Sequence, residues 1–400
     1  MSGDSLPREA GDKLQQIGSA DVAIGILPIP GAIGENTLPA IRETLSRLGG
    51  SVTCVILQSE GPDAEGTPAT VSGMFPQSAP GASLQSFFNA YRTVFTAADQ
   101  LKARACCVLG SDSKTVTADW IQRLLQPALE MEFDLVTPHY AHGPLEGLLN
   151  SSIIGPLERS LYGLRIQNPL GPDFGLSRRL IERMVSAERP HPVAGIVSTA
   201  ARAGLTICEA RVGTRLYPAM DWANVSTLFA EITGPVLQDM ERNAPFWQRA
   251  RGSHAIPAMG ETAARAEETE GADVGRLLDS FQLATRNLQE IWQMVLPPAT
   301  MLELRRMSRL PAAEFAMPDG LWVRVVYDLA LAHRLRTISR DHLLRAMTPL
   351  YLGWVASYAL GLQAAGAPPA EQRLEQLAMA YETAKPYLIS RWRWPDRFNP

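Results

Sequence analysis

The sequence predicts an α/β domain with a mostly parallel sheet over residues 20–221, followed by an all-helical domain over 222–400. Through the first half, short apolar runs alternate with helix-length amphipathic segments, the pattern of strands joined by right-handed crossovers. Each run stops at a loop rich in Gly, Pro, Ser and Asp. From about residue 222 the texture changes to long helical periodicities with few β-branched alternations.

Residues 1–19 are polar and read as a flexible tail. Ala20 to Leu27 is a strand running into Pro28-Ile-Pro-Gly-Ala-Ile-Gly34, a loop of chain breakers. Asn36 to Leu48 is an amphipathic helix closed by Gly49-Gly50. Val52 to Leu57 is the second strand, and Gln58 to Thr67 the loop after it. A helix over 83–102 precedes the strand Ala105 to Leu109, which ends abruptly at Gly110-Ser-Asp-Ser-Lys114. Thr117 is placed to cap the helix that follows. Phe133 to Thr137 and Leu205 to Val212 are further strands. Helices are expected over 223–242, 273–295, 322–335, 340–364 and 370–385, with the polar stretch Arg249 to Gly271 a mobile loop. Apolar stripes such as Leu321, Val325, Leu329 and Ala332 need a covering surface, either the α/β domain beneath a lid or a second copy in a homodimer. The apolar segment Leu350 to Leu362 has no flanking basic face and reads as core, not as a membrane surface.

Four hundred residues exceed what one core usually serves, which agrees with two domains. A net charge of -4 offers no electrostatic footprint for nucleic acid. Cys54, Cys106, Cys107 and Cys208 lie in apolar runs without metal spacing, as buried thiols of a reducing compartment do. With no signal-peptide pattern and no bilayer-length apolar run, a cytoplasmic location is expected.

In an open α/β sheet, ligands collect beyond the carboxyl ends of the strands. Two loops there carry acids beside glycines: Ser59-Glu60-Gly61 with Glu65-Gly66, and Gly110-Ser111-Asp112. An acid in such a loop accepts hydrogen bonds from a ribose hydroxyl or a base N–H, and glycine permits close backbone approach. Asp112 has a plainer alternative, that of closing its own turn. His139 and His142 lie beyond the strand ending at Thr137 and form a His-x-x-His pair, which is common in loops that hold no metal. Arg159, Arg165, Arg178 and Arg179 flank the next segment and suit a phosphate or carboxylate.

Taken in order, Gly25-Ile-Leu-Pro28, Ser59 to Thr67, Gly110 to Lys114 and Asn168-Pro-Leu-Gly-Pro-Asp-Phe-Gly-Leu-Ser177 resemble a nucleotide-sugar glycosyltransferase of the GT-A fold. The chain is more narrowly similar to the mannosylglycerate and glucosylglycerate synthase group, and Pro349 to Ser357 and Lys385-Pro-Tyr-Leu388 extend the resemblance into the helical half. It implies a GDP- or UDP-sugar donor, a small hydroxylated acceptor, retention of anomeric configuration and a divalent cation, Mg or Mn. Pro28, Glu60, Gly61, Ser111 and Asp112 are then expected to line the nucleotide sugar, with Asp112 as the metal ligand. Asp173 and Arg165 are expected at the sugar and acceptor.

Departures from the family pattern are concentrated at the metal. Gly110 replaces the first acid of Asp-x-Asp, and Tyr217 stands where a metal-binding His is expected. A protonated tyrosine is a poor ligand for Mg or Mn. Pro80-Gly-Ala-Ser83 lacks an expected lysine, and Ala194-Gly-Ile-Val-Ser198 an expected carboxylate. Two functions follow: glycosyl transfer, in which Lys114 or an arginine could supply the positive charge, or a catalytically impaired homologue that binds a nucleotide sugar or a partner in a regulatory or scaffold role.

Overall fold

Wholly apolar runs become wholly buried strands: every residue of β1 (Val22–Ile26), β2 (Cys54–Leu57) and β4 (Ala105–Leu109) is buried. The remaining strands are β3 (Ala69–Val71), β5 (Leu135–Ala141), β6 (Leu164–Arg165), β7 (Phe174–Ser177), β8 (Ile207–Thr214), β9 (His254–Ala255) and β10 (Ala258–Met259). This computed structural model describes the chain except residues 1–5, 29–35, 50, 62, 64, 66–67, 76–83, 187, 189, 218–221, 223, 262–271, 365 and 396–400. The loop residues Ile29 to Gly31, Gly66-Thr67 and Pro80 to Ser83 singled out from sequence therefore lie outside the described residues, as does the end of the expected loop at 249–271. The first part of that expected loop instead carries β9 and β10, and β10 pairs parallel with β8. The expected N-terminal tail likewise holds a helix, α1 (Arg8–Ile17), that buries Ala10 and Leu14.

The chain divides into a sheet unit (Met1–His142, Ile166–Tyr217, Ala255–Ala266) and a helical unit (Gly143–Arg165, Pro218–His254, Glu267–Pro400). The helical unit thus takes in Gly143–Arg165, well before residue 222.

In the sheet unit eight strands run in the order β10-β8-β5-β7-β4-β1-β2-β3. All neighbours are parallel except β7, which is antiparallel to both β4 and β5. The mostly parallel sheet is the one the sequence predicts. Strand β7 escapes sequence inspection because Phe174-Gly-Leu-Ser177 is short and lacks β-branched residues. Helices α2 (Thr37–Arg47) and α4 (Ala118–Glu130) place Ile41, Leu45, Trp120, Ile121 and Leu124 against Ile24, Ile26, Cys107 and Val136. Each such large side chain stabilises by about 1.5–3 kcal/mol on burial. Thr117 caps α4 by accepting from the Trp120 backbone N–H at 3.2 Å. Helix α3 (Leu84–Gln100) buries Tyr91, Val94 and Phe95, and the Tyr91 ring meets that of Phe174 at 6.3 Å.

In the helical unit the helices are α5 (Gly155–Tyr162) and α8 (Val225–Arg242) through α15 (Ala370–Arg393), with α6 (Arg178–Met184) and α7 (Ile196–Arg202) belonging to the sheet unit. Leu321, Val325, Leu329 and Ala332 of α13 (Asp319–Leu335) are buried. In α14 (Arg340–Gln363) the aromatic residues expected as core stack: Trp354 lies 6.0 Å from Trp322 and 5.2 Å from Tyr358. Trp322 Nε1 and the Tyr381 hydroxyl both donate to the Ser152 carbonyl, at 3.2 and 3.0 Å. No described helix is long and apolar enough to cross a membrane.

Candidate functional site

Because β1, β2, β4, β5 and β8 are parallel, their carboxyl ends share one edge, and β7, running the other way, starts there. That edge carries Pro28 after β1, Glu60 and Gly61 after β2, Gly110 to Asp112 after β4, Tyr140 to His142 at the end of β5, Arg215 and Tyr217 after β8, and Asp173 just before β7.

After β2 the chain folds back tightly, with Met74 N–H donating to the Gln58 carbonyl at 3.1 Å and Ser72 N–H to Asp63 Oδ1 at 2.8 Å. Gly61 has φ +114°, and a side chain there would meet Gln58 Nε2 at 2.6 Å, so the position requires glycine. Beside it Glu60 is exposed and hydrogen-bonds to no described residue, leaving its carboxylate available to a ligand.

Asp173 is fully buried and its carboxylate is saturated. Oδ1 accepts from the backbone N–H groups of Gly110 and Ser111 at 2.8 and 3.0 Å. Oδ2 accepts from the Ser111 hydroxyl and from the Tyr140 hydroxyl, the latter at 2.6 Å. Asp173 therefore holds the turn after β4 and ties it to β5; the resemblance implies a catalytic acid beneath the sugar or acceptor, orienting a hydroxyl or assisting its deprotonation. Ser111, also buried, is spent on the same clamp.

Asp112 closes its own turn, as the plainer alternative has it: Oδ1 accepts from Lys114 N–H at 2.8 Å. It is half-buried, and its other oxygen bonds to no described residue. Gly110, where the resemblance implies a partner acid, has no room for a side chain. A Cβ on Gly110 would lie 2.9 Å from both the Cβ and the carbonyl oxygen of Pro172, and 3.0 Å from Leu27 Cδ1. Pro172 cannot yield easily, because its carbonyl accepts from the buried Tyr91 hydroxyl at 2.8 Å. Among the described residues no group of three His, Cys, Asp or Glu side chains could hold a metal ion. Among the described residues the site offers a divalent cation one carboxylate, half engaged in a turn, so a bound ion would take its other ligands from phosphate oxygens and water.

What sequence inspection missed is Arg215. A register shift between His139 and Tyr140, opposite Val212, re-aims the end of β8, and Arg215 N–H donates to the Ala141 carbonyl at 3.1 Å. The guanidinium lies 4.2 Å from the Tyr217 ring centroid and 5.2 Å from that of Tyr140. Its Nε is buried without a hydrogen-bond partner, and it forms no ion pair with a described residue. Burial pushes its pKa down, but Tyr140, Tyr217 and Asp173 outweigh that and hold it above the ordinary arginine value. Tyr217 thus serves as a face for a cation. A Thr-Arg-Leu-Tyr stretch just past a strand was the available signal.

Other candidates are dispersed. Arg178 and Arg179 sit at the opposite edge of the sheet, where Arg179 pairs with Asp134 at 2.7 Å and Arg178 with Asp99 at 2.7 Å. Arg159 and Arg165 belong to the helical unit: Arg159 pairs with Glu375 and Glu382, and Arg165 Nε donates to Ser253 Oγ at 3.0 Å. His139 Nδ1 is 4.0 Å from Glu209, a buried acid whose Oε1 accepts from Gln167 N–H at 2.6 Å. Burial pushes Glu209 up to about 7 against the opposing Gln167 hydrogen bond and Arg211 charge.

No protein-family model and no curated protein matches the chain. Solved structures similar to it include glucosyl-3-phosphoglycerate synthase from Mycobacterium tuberculosis with phosphoglyceric acid, at 18% identity over 58% of this chain and 83% of that one, TM-score 0.39. The same enzyme with Mg2+ and uridine diphosphate gives 15% identity over 57% and 83%, TM-score 0.37. Mannosyl-3-phosphoglycerate synthase from Rubrobacter xylanophilus gives 12% identity over 61% and 80%, TM-score 0.39. These likenesses are distant.

Proposed function

We propose that the sheet unit binds a nucleotide sugar along its carboxyl edge and transfers the sugar to a small hydroxylated acceptor. The observation that supports this best is the placing on one edge of an exposed acid, unpaired among the described residues, and a half-buried arginine whose Nε lacks an acceptor. Glu60 suits base or ribose hydrogens, and Arg215 suits phosphate oxygens. In the transfer, the bond from the anomeric carbon to the diphosphate breaks with its electron pair on the phosphate oxygen. The acceptor oxygen bonds to that carbon, and its proton passes to the departing diphosphate.

A second reading keeps the binding and drops the transfer, and the closed position at Gly110 favours it. Incubation with UDP- and GDP-linked glucose and mannose, with glycerate and phosphoglycerate as acceptors, tests both. Acceptor-dependent release of nucleoside diphosphate supports transfer. Binding without release supports the second reading, and the absence of binding to any donor ends both.

A further inference from the structure

We infer that the Arg215 guanidinium is this chain's own counter-cation for a diphosphate, so that the site takes a nucleoside diphosphate without a divalent metal; this rests on the nucleotide-sugar reading above. Three observations converge. First, a second carboxylate beside Asp112 at position 110 is sterically excluded. Pro172, anchored through its carbonyl by Tyr91, fills the space of a Gly110 side chain, and the Asp173 carboxylate is consumed by four internal hydrogen bonds. Second, a guanidinium N–H held away from water without an acceptor is costly. Arg215 is half-buried, and its buried Nε lacks an acceptor among the described residues; its side chain meets the ring faces of Tyr140 and Tyr217 at 5.2 and 4.2 Å, and the one nearby carboxylate, Asp173, is already saturated. An arriving anion would relieve that cost.

Third, the surroundings hold the group in place. Tyr140 is itself fixed by its hydrogen bond to Asp173 and by packing on Trp120, with centroids 5.5 Å apart. The Arg215 backbone is pinned to Ala141. The planar, permanently charged fork of arginine suits two phosphate oxygens, whereas a lysine would act only as a point charge. Lys114, exposed two residues after Asp112, lacks such a cage.

Titration calorimetry with UDP, GDP and inorganic pyrophosphate, each in EDTA and in Mn2+, tests this on the full chain. The wild-type affinity in EDTA should fall within about threefold of that in Mn2+, and Arg215→Gln should weaken binding about 10- to 150-fold, the loss of a charge-assisted hydrogen bond. Arg215→Lys should lie between them. Should Arg215→Gln fail to fold by circular dichroism, the Lys variant and the wild-type metal comparison decide. Binding that requires Mn2+, or that survives Arg215→Gln unchanged in EDTA, overturns the inference while leaving the nucleotide-sugar reading standing. If none of the three probes binds in either buffer, both are wrong.

Discussion

Replacing Glu209 by glutamine isolates one buried carboxyl. Its folded-state pKa is about 7 against an ordinary 4.5, with burial as the main cause. At 1.36 kcal/mol for each pH unit, ionising it in the folded state costs about 3 kcal/mol. The folded value is raised, so the contribution is fully present below about pH 4.5 and is lost as pH rises through about 7. The glutamine amide in the Glu209→Gln variant keeps an oxygen for the Gln167 N–H bond but has no proton to lose. Urea unfolding of both proteins between about pH 4 and about pH 8 should show the variant gaining about 3 kcal/mol on the wild type across that interval. Parallel curves would refute the assignment and mean that Glu209 is solvated or paired as a carboxylate.

Asp173→Ala should destabilise by about 3 kcal/mol or more, since four donors lose a common acceptor; Asp173→Asn, which keeps one acceptor oxygen, should cost clearly less, and equal midpoints in denaturant for wild type and Ala would contradict the clamp. Gly110→Asp should not create a metal site: the contact with Pro172 should cost about 1–3 kcal/mol, with no gain in Mn2+ affinity by calorimetry. Asp134→Ala at the opposite edge removes an acceptor for Ser177, Arg179 and Thr206 and should cost about 3 kcal/mol without altering nucleotide affinity, which separates stability from the site.

The alternation of buried runs with amphipathic segments made β1, β2, β4 and the helices α2, α3 and α4 legible, because burial on both faces leaves an uninterrupted apolar signature. The same criterion is blind to β3 and β7, which have three and four residues. It also misses α5, whose fully buried sequence includes Glu158 and Arg159 and so carries no polar face. At the site, the order of loops placed Pro28, Glu60, Gly61, Ser111, Asp112 and Asp173 at one edge. Sequence could not reveal that Asp173 and Ser111 are consumed in holding a turn, since that depends on an antiparallel strand bringing residue 173 beside residue 110. Arg215 was illegible for the opposite reason: arginines are mostly exposed and paired, and only the shifted end of β8 sets this one, half-buried, against two tyrosines.

The most direct test of a nucleotide-sugar site on the sheet edge is a crystal structure of the chain with a nucleoside diphosphate sugar bound in the absence of divalent metal. The diphosphate should lie within hydrogen-bonding distance of the Arg215 guanidinium and the base or ribose beside Glu60. A nucleotide seated away from the carboxyl ends of β1, β2 and β4, or a diphosphate that leaves Arg215 untouched, would contradict it.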